Sequence, residues 1–353
     1  MAKNITLWVG TQKGLFKFES SKARKKWQLS GPYLAGWEVS SILPEVDKLL
    51  VGTSHYVYGA TIRSSKDGGE TFVQSEGSPT YDDQSGFKVN RIWQLARHPK
   101  TKTLYAGVDE AGLFKSDDNG QNWEEVSGLT QHETRPLWAP GAGGLCLHTI
   151  LFDPHNDQRM WVAMSAVGVF RSDDSGQSWQ VKTRGIDAIV TDEKPSEVGR
   201  CIHKMVLHPK NPERLFIQYH GGVYKSENAA DEWTTIETGL PSNFGFPMVM
   251  THTEKLHIIP LNSDTFRTSA EGKLRVYTFN EAHQSWHDDS AGLKSDGHYS
   301  GVLRDAMTVD NQDEPGVYFG TTGGEVFARV GDNTWQRLPG TLPRIMTLRV
   351  LEG

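Results

Sequence analysis

Short apolar runs, separated by Gly, Pro and polar turns, recur from one end of the chain to the other. An apolar run meets a break, a second run leads into a polar turn, and an aromatic residue opens the next run. "LYAGVDEAGLFKSDDNGQNWEEV" from Leu104 and "MWVAMSAVGVFRSDDSGQSWQVK" from Met160 are the clearest copies. Further copies start at Leu7, Leu49, Leu215 and Val317, and a weaker one at Leu256, which makes seven. Between copies lies another apolar run with a Pro tail, as in "RIWQLARHP", "CLHTILFDP" and "CIHKMVLHP". Pro fixes φ and lacks an N–H, so the His-Pro and Asp-Pro pairs end a strand in a tight turn. Runs this short, bounded by turn residues, predict strands. Each unit therefore holds four strands, first to fourth.

Short strands at even spacing, with an aromatic motif in each repeat of about 40–55 residues, predict an all-β fold. The expected architecture is a seven-bladed β-propeller of four-stranded antiparallel blades, a single domain over residues 1–353. Six first strands lie between units, the unit from Leu7 lacks one, and the C-terminal run "RIMTLRVL" at 344–351 has no unit after it. That last run is expected to supply the missing strand and close the ring, which removes the open edges.

The polar turns share the spacing S-x-D-x-G-x-x-W. Ser116, Asp118, Gly120 and Trp123 carry it, as do Ser172, Asp174, Gly176 and Trp179. Ser65, Asp67, Gly69 and Phe72 give a third copy, and Ser226 to Trp233 a decayed one with Asn228 and Ala230 in place of Asp and Gly. The expected role is structural: Asp accepts from turn amides, Gly takes a positive φ, and the aromatic packs between sheets. The motif resembles the Asp-box, or BNR repeat, of sialidases and related bacterial propellers. That resemblance covers most of the chain and implies that the boxes lie on third-to-fourth turns, away from the active site.

Charged residues make up 23% of the chain and the net charge is −6, with both signs well mixed. No basic block points to nucleic acid. No apolar run reaches the ~18 residues of a membrane span, and "MAKNITLWVGTQKG" has no apolar stretch of signal-peptide length. With two cysteines, Cys146 and Cys201, no disulfide framework is implied, and a cytoplasmic location is expected.

Function is expected where the units differ. Second-to-third turns and the long fourth-to-first connections, near 77–89, 128–145, 184–200 and 289–301, share one face of a propeller, and long loops on one face mark a binding side. Aligning the first strands on their Pro tails, the position six before Pro or its equivalent holds Glu38, Trp93, His148, His203, Pro247 and Asp305. Nearby stand Trp37, Arg91, Arg200 and Arg304. The loops add His55, Tyr56, Tyr219, His220, Arg135 and Trp138. Polar groups converging in a cleft are the usual signature of a site, although any one His could instead be a satisfied partner between sheets. His98 and His208 belong to the turn pattern. "GAGG" at 141–144 precedes a strand, so it predicts no phosphate cradle.

Three functions fit this set. In the first, Glu38 and Asp305 form the acid/base pair of a glycoside-processing hydrolase. Trp37, Trp93 and Trp138 would stack on sugar, and Arg91, Arg200 and Arg304 would hold an acidic sugar or other small polar ligand, with His55, Tyr56, Arg135 and His220 completing the binding set. The Asp-box resemblance implies glycan chemistry too, but the chain lacks the Phe-Arg-Ile-Pro segment of sialidases and has seven units where they have six. In the second, His148 and His203, with carboxylates, hold a divalent metal. The third is a non-catalytic scaffold that binds a protein partner. Cys146 and Cys201 flank the two His residues and read as a thiol ligand or as small fillers.

Overall fold

The computed structural model describes residues 4–188, 197–294 and 296–352. Among them the chain forms seven four-stranded sheets, and the fold is a seven-bladed β-propeller of antiparallel blades. Among the described residues, helix is confined to one turn, Ser127–Thr130, and three short 3₁₀ turns. Among the described residues no helix is long and apolar enough to cross a membrane.

Six sheets follow chain order. The seventh joins Asn4–Thr11, Gly14–Ser21 and Gln28–Tyr33 to the C-terminal strand Ile345–Glu352. Leu7 pairs with Val350 and Val9 with Leu348, so the last residues of the chain complete the first blade. Ile345, Leu348 and Thr347 are fully buried there. A second tie between the two ends of the chain is a buried ion pair, Arg24 Nη1 to Asp310 Oδ2 at 2.8 Å. Asp310 also accepts from the Tyr318 hydroxyl at 2.7 Å and the Gly316 N–H at 2.8 Å, which satisfies the carboxylate.

The second strands explain the unbroken apolar runs. Met160–Ser165 is buried at every residue, because neighbouring blades cover both faces of the sheet. Backbones approach closely between blades: a Cβ on Gly107 would lie 2.3 Å from the Leu147 carbonyl oxygen. The boxes fold as the residues predict. Ser116 Oγ donates to Asp118 Oδ1 at 2.8 Å and accepts from the Gly120 N–H at 2.8 Å. The box at Ser172 repeats this with Asp174 and Gly176, and the box at Ser65 with Asp67 and Gly69. Phe72 is a half-buried neighbour of the Trp8 cluster, whereas Trp179 is buried. Amide donors, led by the Asn122 N–H, hold the Asp118 carboxyl down at about 2.

Four of the first strands share an irregularity at the position where the Pro-tail alignment finds divergence. Each of three has a β-bulge, where the register steps from Ile92 to Gln94, from Leu147 to Thr149 and from Ile202 to Lys204. The extra residues are Trp93, His148 and His203. In a fourth the step runs from Gly245 to Met248, around Pro247. A bulge leaves a residue out of the ladder and re-aims its side chain, which is why these positions diverge from blade to blade.

By contact density the chain divides into two compact units, Met1–Val51, Ser64–Phe72 and Ile236–Gly353 in one, and Gly52–Arg63 and Val73–Thr235 in the other. Each has its own buried core: Leu7, Phe18, Ile259 and Phe319 in the first, Leu113, Leu147, Val162 and Phe170 in the second.

Candidate functional site

The second unit holds a groove of about 620 Å³, within the range of small-molecule sites. It is built from two of the long fourth-to-first connections and one second-to-third turn. Phe87 comes from the first connection, Glu110 from the turn, and Gln131, His132, Glu133, Arg135 and Trp138 from the second connection.

The second connection is held rigid from within. Ser127–Thr130 forms a helical turn and Arg135–Leu137 a 3₁₀ turn that Pro136 favours. His132 bonds Thr134 Oγ1 at 2.9 Å through Nδ1 and the Trp179 carbonyl at 3.2 Å through Nε2. The loop is thereby fastened to the next blade's Asp-box. Trp138 Nε1 donates to Thr134 Oγ1 at 3.0 Å. Arg135 fills the space between two rings, its guanidinium carbon 4.6 Å from the Phe87 centroid and 4.6 Å from that of Trp138. Its Nη1 donates to the Glu110 carbonyl at 2.7 Å. Burial pushes the guanidinium below its ordinary value, but it stays a cation.

A second polar cluster is linked to the groove through Tyr81, which contacts Phe87. Trp93 Nε1 donates to Asp109 Oδ1 at 2.5 Å, and the Asn90 N–H reaches Asp109 Oδ2 at 3.0 Å. Arg91 stacks over the Trp93 ring at 4.6 Å. The Tyr81 hydroxyl donates to the Asp109 carbonyl at 2.7 Å, and the Tyr81 ring meets Phe87 edge-on at 5.6 Å. Burial pushes the Asp109 carboxyl up, against the opposing pull of the Trp93 N–H and Arg91.

Arg135 with Trp138, and Arg91 with Trp93, are therefore brought together as pairs. Trp138 is 8% exposed with Arg135 across its face, so it supports the groove wall and leaves Phe87, 43% exposed, as the open ring. His55 is stacked on Tyr56 at 4.5 Å and lies 5.0 Å from Tyr58, on a turn whose Tyr56 is 94% exposed. Arg200 donates from Nη1 to the Val198 carbonyl at 3.0 Å. Residues 189–196 of its connection lie outside the described residues. In the first unit Trp37 and Glu38 are half-buried at the start of the strand Glu38–Pro44. Asp305 is 3% exposed and ion-paired with Arg349 Nη2 at 2.8 Å, a structural partnership that ties it to the closing strand. Arg304 lies 5.9 Å from the Phe246 ring, which Arg267 also faces at 5.6 Å.

The two His residues expected to share a metal have different surroundings. His148 is fully buried, with Nε2 bonded to the Ile202 carbonyl at 2.8 Å and Nδ1 to Thr149 Oγ1 at 3.0 Å. His203 meets the ring of His220 edge-on at 5.4 Å, and its ligand atom, the His220 nitrogen and the Cys201 sulfur all lie within 4.8 Å of one another.

Sequence reasoning singled out Arg135 and Trp138 but missed Phe87, Asp109, Glu110 and Glu133. Phe87 and Glu133 belong to the unrepeated connections, and Asp109 and Glu110 to a second-to-third turn whose residues change from copy to copy, so none carries a periodic signal. For Phe87 and Glu133 the clue was the length of the connections themselves.

No family model matches the chain. It is 24% identical over 293 residues, 70% of its length, to an oligoxyloglucan-reducing end-specific xyloglucanase of Emericella nidulans. It spans about a third of that enzyme, 34% of its length. Among solved structures, an ancestral GH74 enzyme superimposes with a TM-score of 0.59 at 16% identity, over 84% of this chain and 38% of that one. A candidate 6-phosphogluconolactonase of Bacteroides uniformis superimposes with a TM-score of 0.62 at 10% identity, over 99% of this chain and 100% of that one. At these identities the shared property is the fold, a propeller like those of glycoside hydrolases, and the chemistry is decided by the site.

Proposed function

We propose that this propeller is a glycoside-processing hydrolase that takes a neutral oligosaccharide of the β-glucan type in the Phe87–Arg135–Glu133 groove. The observation that carries the reading is the lining: two acidic residues, Glu110 and Glu133, line one groove with Phe87, whose ring is open to solvent. Glycoside hydrolysis needs a carboxylic acid to protonate the leaving oxygen and a carboxylate to act as base or nucleophile on the other side of the bond. Glu110 and Glu133 are assigned that pair. Phe87 offers an apolar face to the C–H face of a sugar ring. Arg135 stiffens the wall and supplies hydrogen-bond donors to ring hydroxyls. Two carboxylates against one cation make the lining net negative, which disfavours an acidic sugar. The similarity to a xyloglucanase over 70% of the chain supports the same substrate class.

The test is hydrolysis of a panel of β-glucan and xyloglucan oligosaccharides, read as new reducing ends. Glu110→Gln and Glu133→Gln are each expected to lower kcat by about 100- to 10,000-fold with KM little changed. Phe87→Ala is expected to raise KM. Hydrolysis that survives both Gln substitutions unchanged would overturn the assignment.

A further inference from the structure

The structure assigns a second site to the same unit. We infer that Cys201, His203 and His220 form a three-ligand site for a borderline-soft divalent ion of the Zn²⁺ class. It is built on a single hairpin. Ile202–Leu207 and Leu215–Tyr219 are adjacent antiparallel strands, with Ile202 opposite Tyr219. That register puts Cys201 opposite His220, and the His220 N–H donates to the Cys201 carbonyl at 3.0 Å. His203 is the bulge residue one step further along. In a regular strand it would share a face with Cys201, and the bulge brings its ring edge-on to His220 at 5.4 Å.

Three features make this a ligand set. The three donor atoms lie within 4.8 Å of one another. Ligands at ~2.0–2.3 Å from a tetrahedral Zn²⁺ sit roughly 3.3–3.7 Å apart, so side-chain rotation of about an ångström closes the site. The donors are one thiol and two imidazoles, the mixture that zinc and other late first-row ions prefer over oxygen-seeking ions. His203 is 2% exposed, while Cys201 and His220 are half-buried, so an ion has an anchored ligand at depth and a route in from solvent. Three protein ligands leave a fourth position for water or a ligand atom, the arrangement of catalytic rather than closed structural zinc. The alternation of Cys201 and His203 is visible in sequence, but the third ligand is set by the strand register.

The experiment uses the full chain, reduced and stripped with a chelator, then titrated with Zn²⁺ and with Co²⁺. The expected result is about one ion per chain, with the Co²⁺ form showing thiolate-to-metal charge-transfer absorption. Cys201→Ser is expected to abolish that absorption. Cys201→Ser and His220→Asn are each expected to weaken Zn²⁺ binding by at least about 100-fold, beyond the ~10- to 100-fold typical of losing an outer partner. His203→Ala should do the same. Because His203 is buried, the two half-buried positions carry the test if that variant fails to fold. His283→Ala, an exposed histidine outside the hairpin, should bind as the wild type does. Absence of stoichiometric binding, or binding unchanged by Cys201→Ser and His220→Asn, overturns the assignment.

Discussion

At the scale of residues, the four boxes form an internal comparison. In the decayed copy Asn228 accepts from Ser226 Oγ and from the Glu232 N–H, both at 2.9 Å, as an Asp would. Its Ala230 occupies the Gly position with φ of 74°, where Gly176 has 89°. A residue with a Cβ pays about 1–2 kcal/mol for that conformation, and the looser unfolded chain of a Gly returns about 0.4–1 kcal/mol of the gain. Ala230→Gly is therefore expected to stabilise the protein by about 0.5–1 kcal/mol, measured as a shift in the denaturant midpoint. Asp118 tests the charge. Its folded carboxyl is held at about 2, below the ordinary carboxylate range near 4, so on acidification the unfolded chain takes up the proton first. The box's stabilisation is present at neutral pH and lost as pH falls from about 4 through about 2. Asp118→Asn keeps the acceptor, as Asn228 does, and is expected to leave neutral stability nearly unchanged while removing this window's share of the pH dependence. Stability curves of the two proteins between pH 5 and about pH 2 check it.

At the scale of elements, closure rests on the C-terminal strand. Leu348 is fully buried and pairs with Val9. Leu348→Ala is expected to cost about 2–5 kcal/mol, a large share of the ~5–15 kcal/mol that holds a typical domain folded. Deleting the whole strand should abolish a cooperative thermal transition, since it uncovers one edge of the first blade. This closure was legible because strand counting left one strand over at the C-terminus and one missing at the first unit. The bulges were legible only as a position: aligning on Pro found Trp93, His148 and His203, but not that they leave the ladder. Register was not readable either, and with it went the pairing of Cys201 with His220. Those strands are buried almost throughout, so their apolar pattern alone leaves the register open, and turn geometry and side-chain packing select it.

At the scale of the whole molecule, repetition builds the scaffold and departures from it build the sites. The boxes bond to their own turns, and the box at Ser172 also braces the groove's loop, its Trp179 carbonyl holding His132. The groove's Phe87, Glu110 and Glu133 come from three separate loops, and nothing in the local sequence of any one announces the others. Asp305 shows the converse. A carboxylate at a divergent position reads as chemistry, and here it also pairs with Arg349 of the closing strand, 44 residues away. Long-range pairing of this kind has no sequence signature.

The most direct test of the central claim is a crystal structure of the Glu133→Gln protein with a xyloglucan-derived oligosaccharide. The groove reading predicts a sugar ring packed on Phe87, with a glycosidic oxygen within hydrogen-bond reach of Glu110 or of the residue at position 133. A saccharide bound elsewhere on the propeller, with the Phe87–Arg135–Trp138 stack left without sugar, would contradict it.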